Sequence, residues 1–177
     1  MDPILFYRYS CPPGRPAPGP TGPWDAEVWR PSRAQLAPTC GLSGLTRLVW
    51  AGFHHLRIFR NRDHAVVLLL RNGSCLHRTL LFPPYFRFPF MAQDDLQCGD
   101  IWTHPDERGQ GLAGAGLALA ICHAWQPGRR LWYLTEEKNQ ASCRLATKAG
   151  FQLVGRGQRT APLGLKSIGQ FVMTVES

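Results

Sequence analysis

No run in this 177-residue chain is long and apolar enough to cross a membrane; the longest candidate, residues 65–70, is the size of a strand. The N-terminus, MDPILFYRYSCPP, has no basic region ahead of an apolar core, so a secretion signal is not expected and a cytoplasmic location is. Six cysteines (Cys11, Cys40, Cys75, Cys98, Cys122, Cys143) include no Cys-x-x-Cys pair. That spacing offers no zinc site, no metal is expected, and the thiols are expected to be reduced. The chain's glycine-rich bend ends in Gly111-Leu112 with no lysine, so the Gly-Lys-Ser/Thr end of a P-loop is missing. Acidic residues are scarce in the first half. Residues 1–88 hold 11 Arg and no Lys against 4 acids, +7 of the total +8. That excess implies either a solvated basic surface or an acidic or phosphorylated partner.

What is present is a chain of single-domain length, expected to be one domain over 1–177 with a Pro/Gly-rich loop at 11–24. Residues 4–9 read as a first strand. A weak helix, broken by Pro31 and Pro38, is expected at 25–36. A second, capped by Ser43, is expected at 44–55, with Leu45, Leu48, Val49 and Phe53 on one face. Residues 65–70 and 75–82 read as strands joined by a tight Asn72-Gly73 turn. FPPYFRFPF (82–90) is an aromatic loop, read as a small satellite core ahead of an acceptor-site lining. Strands are expected at 96–104, 130–135, 151–154 and 170–175, with helices from Leu112 and over 139–149. This order describes a mixed α/β (α+β) sheet.

The most informative stretch is LQCGDIWTHPDERGQGLAGAGLALA, residues 96–120. Pro105 ends a strand, Asp106, Glu107 and Arg108 turn, and Gly109 and Gly111 bend the backbone into an apolar helix. Such a bend presents unpaired N–H groups to an anion, assisted by the helix dipole. Gly109-Gln110-Gly111-Leu112-Ala113-Gly114 fits the dinucleotide pattern Gly-x-Gly-x-x-Gly formally. It lacks the context, because Pro105 to Arg108 separate strand from glycine. Arg108-Gly109-Gln110-Gly111-Leu112-Ala113 fits Arg/Gln-x-x-Gly-x-Gly/Ala better. Downstream, Asn139-Gln140-Ala141-Ser142 is followed by Lys148-Ala149-Gly150-Phe151. Together the two blocks resemble the GNAT superfamily of acyl-coenzyme A-dependent N-acetyltransferases, over roughly residues 96–155.

The resemblance implies a mostly antiparallel twisted sheet with a V-shaped split between the strands at 96–104 and 130–135, flanked by helices. Acetyl-coenzyme A is the implied co-substrate. Its pantetheine arm would pair with the backbone of Ile101, Trp102 and Thr103. Amides of Arg108, Gly109, Gln110, Gly111, Leu112 and Ala113 would hold the pyrophosphate, and Asn139 and Ser142 would lie near the arm. The implied reaction is direct attack of a neutral amine on the thioester. The base is expected to be Asp100, taken to be buried in an apolar strand, then Glu136, then His104. Many relatives carry a tyrosine as the acid where this chain has Ala146, so Ser142 becomes the candidate acid. A covalent role for Cys98 or Cys143 is a minor alternative. The expected partner is a small amine acceptor bearing acidic groups, such as a nucleotide-linked amino sugar. A non-catalytic coenzyme A-binding module comes second and a nucleic-acid binder third. A homodimer is left open, and no membrane span is expected.

Overall fold

The computed structural model describes residues 2–17, 19–31, 49, 52–53, 56–162 and 169–174. Among these, eight strands form one sheet: β1 (Ile4–Ser10), β2 (Asp25–Trp29), β3 (Ala65–Arg71), β4 (Ser74–Phe82), β5 (Leu96–Thr103), β6 (Arg130–Glu136), β7 (Gln152–Arg159) and β8 (Phe171–Thr174). Helices α1 (Leu112–Ala124) and α2 (Gln140–Lys148) follow β5 and β6. The sheet order is β2-β3-β4-β5-β6-β1-β7-β8. Every neighbouring pair is antiparallel except β5 and β6, whose connection through α1 returns the chain in the same direction.

Asn72 and Gly73 join β3 to β4 with φ of 52° and 75°. Both are left-handed, which matches the twist of the strands they connect. The stretch at 25–36 is not a helix where it is described. Residues 25–29 form the edge strand β2, paired with β3 from Asp25↔Leu70 to Trp29↔Val66. Weak helical preference yields here to the open edge of β3, whose Val66 and Leu68 need the cover that Trp29 supplies. Of the helix expected at 44–55, only Val49, Gly52 and Phe53 are described, and all three are helical; Ser43 lies outside the described residues. The Pro/Gly-rich loop lies along α1. Trp125 Nε1 donates to the Pro12 carbonyl (3.1 Å), Cys122 Sγ to that of Ala17 (3.1 Å), and Trp24 packs against Leu112 and Ala115.

The sheet is buried on two faces. On one, Leu5, Tyr7, Leu81, Leu96, Cys98, Leu131 and Tyr133 meet Leu117, Ala120, Ile121 and Ala124 of α1 and Ala146 of α2. On the other, the 82–90 loop folds back as the expected satellite core: Tyr85, Phe88 and Met91 pack around Trp132, with Leu134, Val154, Phe171 and Met173. Asp95 pins this loop down. Its buried carboxylate accepts from Ala92 N (2.9 Å), Trp132 Nε1 (2.8 Å) and Arg130 Nε (3.2 Å).

α1 sits close to the sheet because of one glycine. A Cβ on Gly116 would stand 2.3 Å from the His77 ring. That ring cannot yield, because Nδ1 is 2.8 Å from Thr103 Oγ1 and Nε2 is 2.8 Å from Thr79 Oγ1. Burial, and then the charge of Arg78, push the His77 pKa down to about 4. Between that value and the free value near 6.5 the unfolded chain binds the extra proton. The His77 contribution is therefore complete above pH 6.5 and is lost as the pH falls toward 4. From pH 7.5 to 5 this amounts to about 2 kcal/mol. Urea unfolding of the protein and of His77→Asn at both pH values should show a slope that is shallower by that amount in the variant.

Candidate active site

The sheet forks between β5 and β6. They pair only at Leu96↔Leu131, Gln97↔Trp132 and Cys98↔Tyr133. Beyond that, β5 stays with β4 as far as His77↔Thr103, and β6 stays with β1 as far as Ile4↔Glu136. The cause is a bulge. Along β4 the partners step from Trp102 (opposite Arg78) to Gly99 (opposite Leu80), so Asp100 and Ile101 share one opposing position. Asp100 takes up the extra residue with a φ of 45°. A bulge bends its strand, and here the bend carries Ile101, Trp102 and Thr103 away from β6. Among the described residues no strand lies opposite their β6-facing edge, an open template for an extended ligand.

β5 leads into the anion-binding bend. It ends at Thr103 and not at His104, whose Nδ1 instead accepts from Asp106 N (3.4 Å) and caps a single 3-10 turn, Pro105–Glu107. Glu107 fastens that turn to the end of β3 through Arg71 (2.7 Å). Arg108 Nε folds back to the Thr103 carbonyl (3.4 Å), so the arginine side chain braces the strand end. Gly109 and Gly111 both have a φ of 79°. Gly111 is the N-cap of α1 and offers no side-chain acceptor. The amides of Leu112, Ala113 and Gly114 have no acceptor within the helix and point out of its N-terminus beside the split. The Leu112 side chain is buried with Leu69 and Leu76, which fixes the helix end in place. Exposed glycines, an uncapped helix end and a neighbouring free strand edge fit the pyrophosphate and pantetheine of coenzyme A.

The other arm of the fork carries Glu136, Asn139 and Ser142. Glu136 is exposed and 3.3 Å from Lys138, which also pairs with Asp2. Asn139 Oδ1 accepts from Ser142 N (3.1 Å) and caps α2. Burial pushes the Tyr133 phenol upward, and the Ser142 side chain opposes that shift. Tyr133 is the last β6 residue paired to β5, so this phenol stands where the fork opens. Ala146 is fully buried against the same core and leaves no hydroxyl at its position.

Two expectations need correction. Asp100 is not buried: its carboxylate is exposed at the bulge and 3.2 Å from Arg78, whose guanidinium also lies 5.3 Å from the Trp102 ring. The burial argument for Asp100 therefore does not apply, because the bulge turns it outward. Cys98 is no nucleophile, since complete burial pushes its thiol up to about 12. The five described cysteines all carry free thiols. Tyr133, His77 and Arg78 escape the sequence reading. The alternation of β6 puts Tyr133 on the face of Leu131, but nothing local marks where the strands part.

The acetyltransferase (GNAT) family model matches residues 36–151. No significant match is found among curated proteins. Among solved structures, a GCN5-related N-acetyltransferase from Sphaerobacter thermophilus superposes with a TM-score of 0.55 at 16% identity, covering 88% of this chain and 50% of that one. An acetyltransferase from the GNAT family of Colwellia psychrerythraea gives 0.52 at 17%, covering 86% and 53%. At these identities the likeness is one of fold, and the chain spans about half the length of the two structures.

Proposed function

Because the chain belongs to the acetyltransferase (GNAT) family, we propose that it moves an acetyl group from acetyl-coenzyme A to a primary amine of a small acceptor bearing acidic groups, by direct attack in a ternary complex. The observation that carries this reading is the fork itself. β5 and β6 stop pairing after Cys98↔Tyr133, and an uncapped glycine-entered helix begins at the end of the freed strand.

The thioester supplies the activated acyl group. The free edge of Ile101, Trp102 and Thr103 would align the pantetheine arm and provide an N–H for the developing oxyanion. The bend from Arg108 to Ala113 would hold the pyrophosphate, with Asn139 and Ser142 on the far arm. Asp100 remains the first choice to take the amine proton, directly or through water, because it stands at the bulge on the rim of the split. Glu136, exposed at the end of β6 on the other arm, is the second choice. Ser142 is the choice to protonate the departing thiolate.

The test is thiol release from acetyl-coenzyme A against amino sugars, nucleotide sugars, simple amines and peptides, beside calorimetry with acetyl-coenzyme A alone. Binding with release on at least one amine is the expected result. The buried Ala146 at the place of the relatives' acid favours one competing reading, a coenzyme A-binding module without catalysis. Binding without release on any amine would establish that reading and end ours.

A further inference from the structure

The backbone of Trp102 is assigned above to the coenzyme A arm, but its indole takes no part there. The strand sends that ring to the face of the sheet opposite α1. Ile101, the residue before it, packs with the core on the α1 side, and side chains alternate along a strand. β4 shows the same alternation: the His77 ring lies against Gly116 of α1, and Arg78, the next residue, is the register partner of Trp102. The Arg78 guanidinium carbon stands over the indole, 5.3 Å from its centre, and Nη2 of the same group is 3.2 Å from the Asp100 carboxylate. The His104 ring is nearly perpendicular to the indole, 5.9 Å away (85°). The Trp102 side chain is half-buried.

Arg78 reaches the indole from β4, so it covers the ring face turned toward β4. The other ring face is turned toward the split, where β6 has parted from β5 and, among the described residues, no strand lies opposite. Gly99 keeps the vertex of the fork clear beside it. A Cβ on Gly99 would stand 3.3 Å from both the Phe82 ring and the Gln97 amide, so it would point to the face that carries Trp102, and hydrogen takes its place. On the other arm Leu134, the first β6 residue past the last pair, packs with the satellite core on this same face. The anion-binding bend opens α1 on the opposite face, so coenzyme A and the acceptor have separate approaches.

We propose that the acceptor carries an aromatic ring a short chain away from its amine, and that this ring stacks on the split-facing side of the Trp102 indole. The Arg78 cation selects what stacks there. A positive charge over one face draws the π electrons toward it and leaves the opposite face a poor seat for a second cation or for C–H groups. A planar π system is the better partner, so the acceptor's ring lies on the indole and its ammonium does not. One guanidinium touches both Trp102 and Asp100, so a ring on the indole leaves the amine within reach of the Asp100 carboxylate only if the chain between them is short.

The inference rests on the acyl-transfer reading of the split, and the test separates the two. Thiol release from acetyl-coenzyme A is measured with 2-phenylethylamine and with 2-cyclohexylethylamine, which has the same chain and a saturated ring. Burial of apolar area alone favours the larger saturated ring, so a preference for phenyl reports stacking. The expected preference in kcat/KM for the phenyl compound is about fivefold or more. It should fall below twofold in Trp102→Leu and in Trp102→Met, and stay within twofold of the parent's in Trp102→Phe. Each preference is a ratio within one enzyme, so a general loss of activity in a variant leaves it readable. Equal use of the two amines by the parent, or a preference that survives in Trp102→Leu or Trp102→Met, overturns the proposal. If no amine is acetylated, the transfer reading fails and calorimetry with the same two amines in the presence of coenzyme A decides the ring site. Tighter binding of 2-phenylethylamine, lost in Trp102→Leu and Trp102→Met, supports the site; equal, absent or unchanged binding overturns it.

Discussion

Gly111→Glu is expected to weaken acetyl-coenzyme A by at least on the order of 100-fold, while Gly111→Ala costs far less. The contrast follows from what Gly111 does. Its φ of 79° is left-handed, and a Cβ there would meet nothing within 4 Å, so alanine adds only the backbone penalty, about 1–2 kcal/mol of folding stability. Glutamate adds the same penalty but also a carboxylate at the uncapped start of α1. The helix dipole favours an acid there, which offsets part of the strain and keeps the fold. The same carboxylate then occupies the amides of Leu112, Ala113 and Gly114 and repels an incoming pyrophosphate. Each lost hydrogen bond to a charged group is worth about 1.5–3 kcal/mol, so losing two amounts to about two orders of magnitude or more. Calorimetry with acetyl-coenzyme A measures the effect, with thermal melting as the check on folding. S-acetyl-pantetheine, which lacks the pyrophosphate, should bind both variants alike. Glutamate and alanine variants within threefold of each other for acetyl-coenzyme A would remove the pyrophosphate from this bend.

That bend was open to a sequence reading because everything it does is local. Pro105 stops a strand, Gly109 and Gly111 permit positive φ, and an apolar helix follows, all within a dozen residues. The Asn72-Gly73 hairpin and the satellite core of the aromatic loop were legible for the same reason. The elements that misled are those decided by distant partners. Residues 25–29 form a strand because β3 has an open edge, and Asp100 turns outward because β4 holds β5 in a register with one residue to spare. β1 lies between β6 and β7 although some 120 residues separate it from β6 in sequence. Tyr133 and Ser142 lie on a strand and a helix of the same arm, near enough for the serine to oppose the phenol's shift, and no spacing rule connects the two positions.

Ser142 bears the second large effect. Ser142→Ala should lower kcat by about 100-fold with KM for acetyl-coenzyme A held within threefold, the low end of the range for general acid catalysis. The low end applies because the departing thiolate is itself a good leaving group near neutral pH. Ser142 is half-buried in the first turn of α2, while Tyr133 is buried behind it. The serine is therefore the more accessible of the two hydroxyls. Burial holds the Tyr133 phenol above its ordinary value. Tyr133→Phe removes the neighbouring phenol while the Asn139 cap keeps Ser142 in the helix, and should cost no more than about tenfold in kcat. For a phenol that acts only on Ser142, the double variant should be no slower than Ser142→Ala alone, a non-additivity that separate structural losses would not produce. A Ser142→Ala enzyme within threefold of the parent in kcat would return the serine to its helix, as a residue that merely accepts the Asn139 cap.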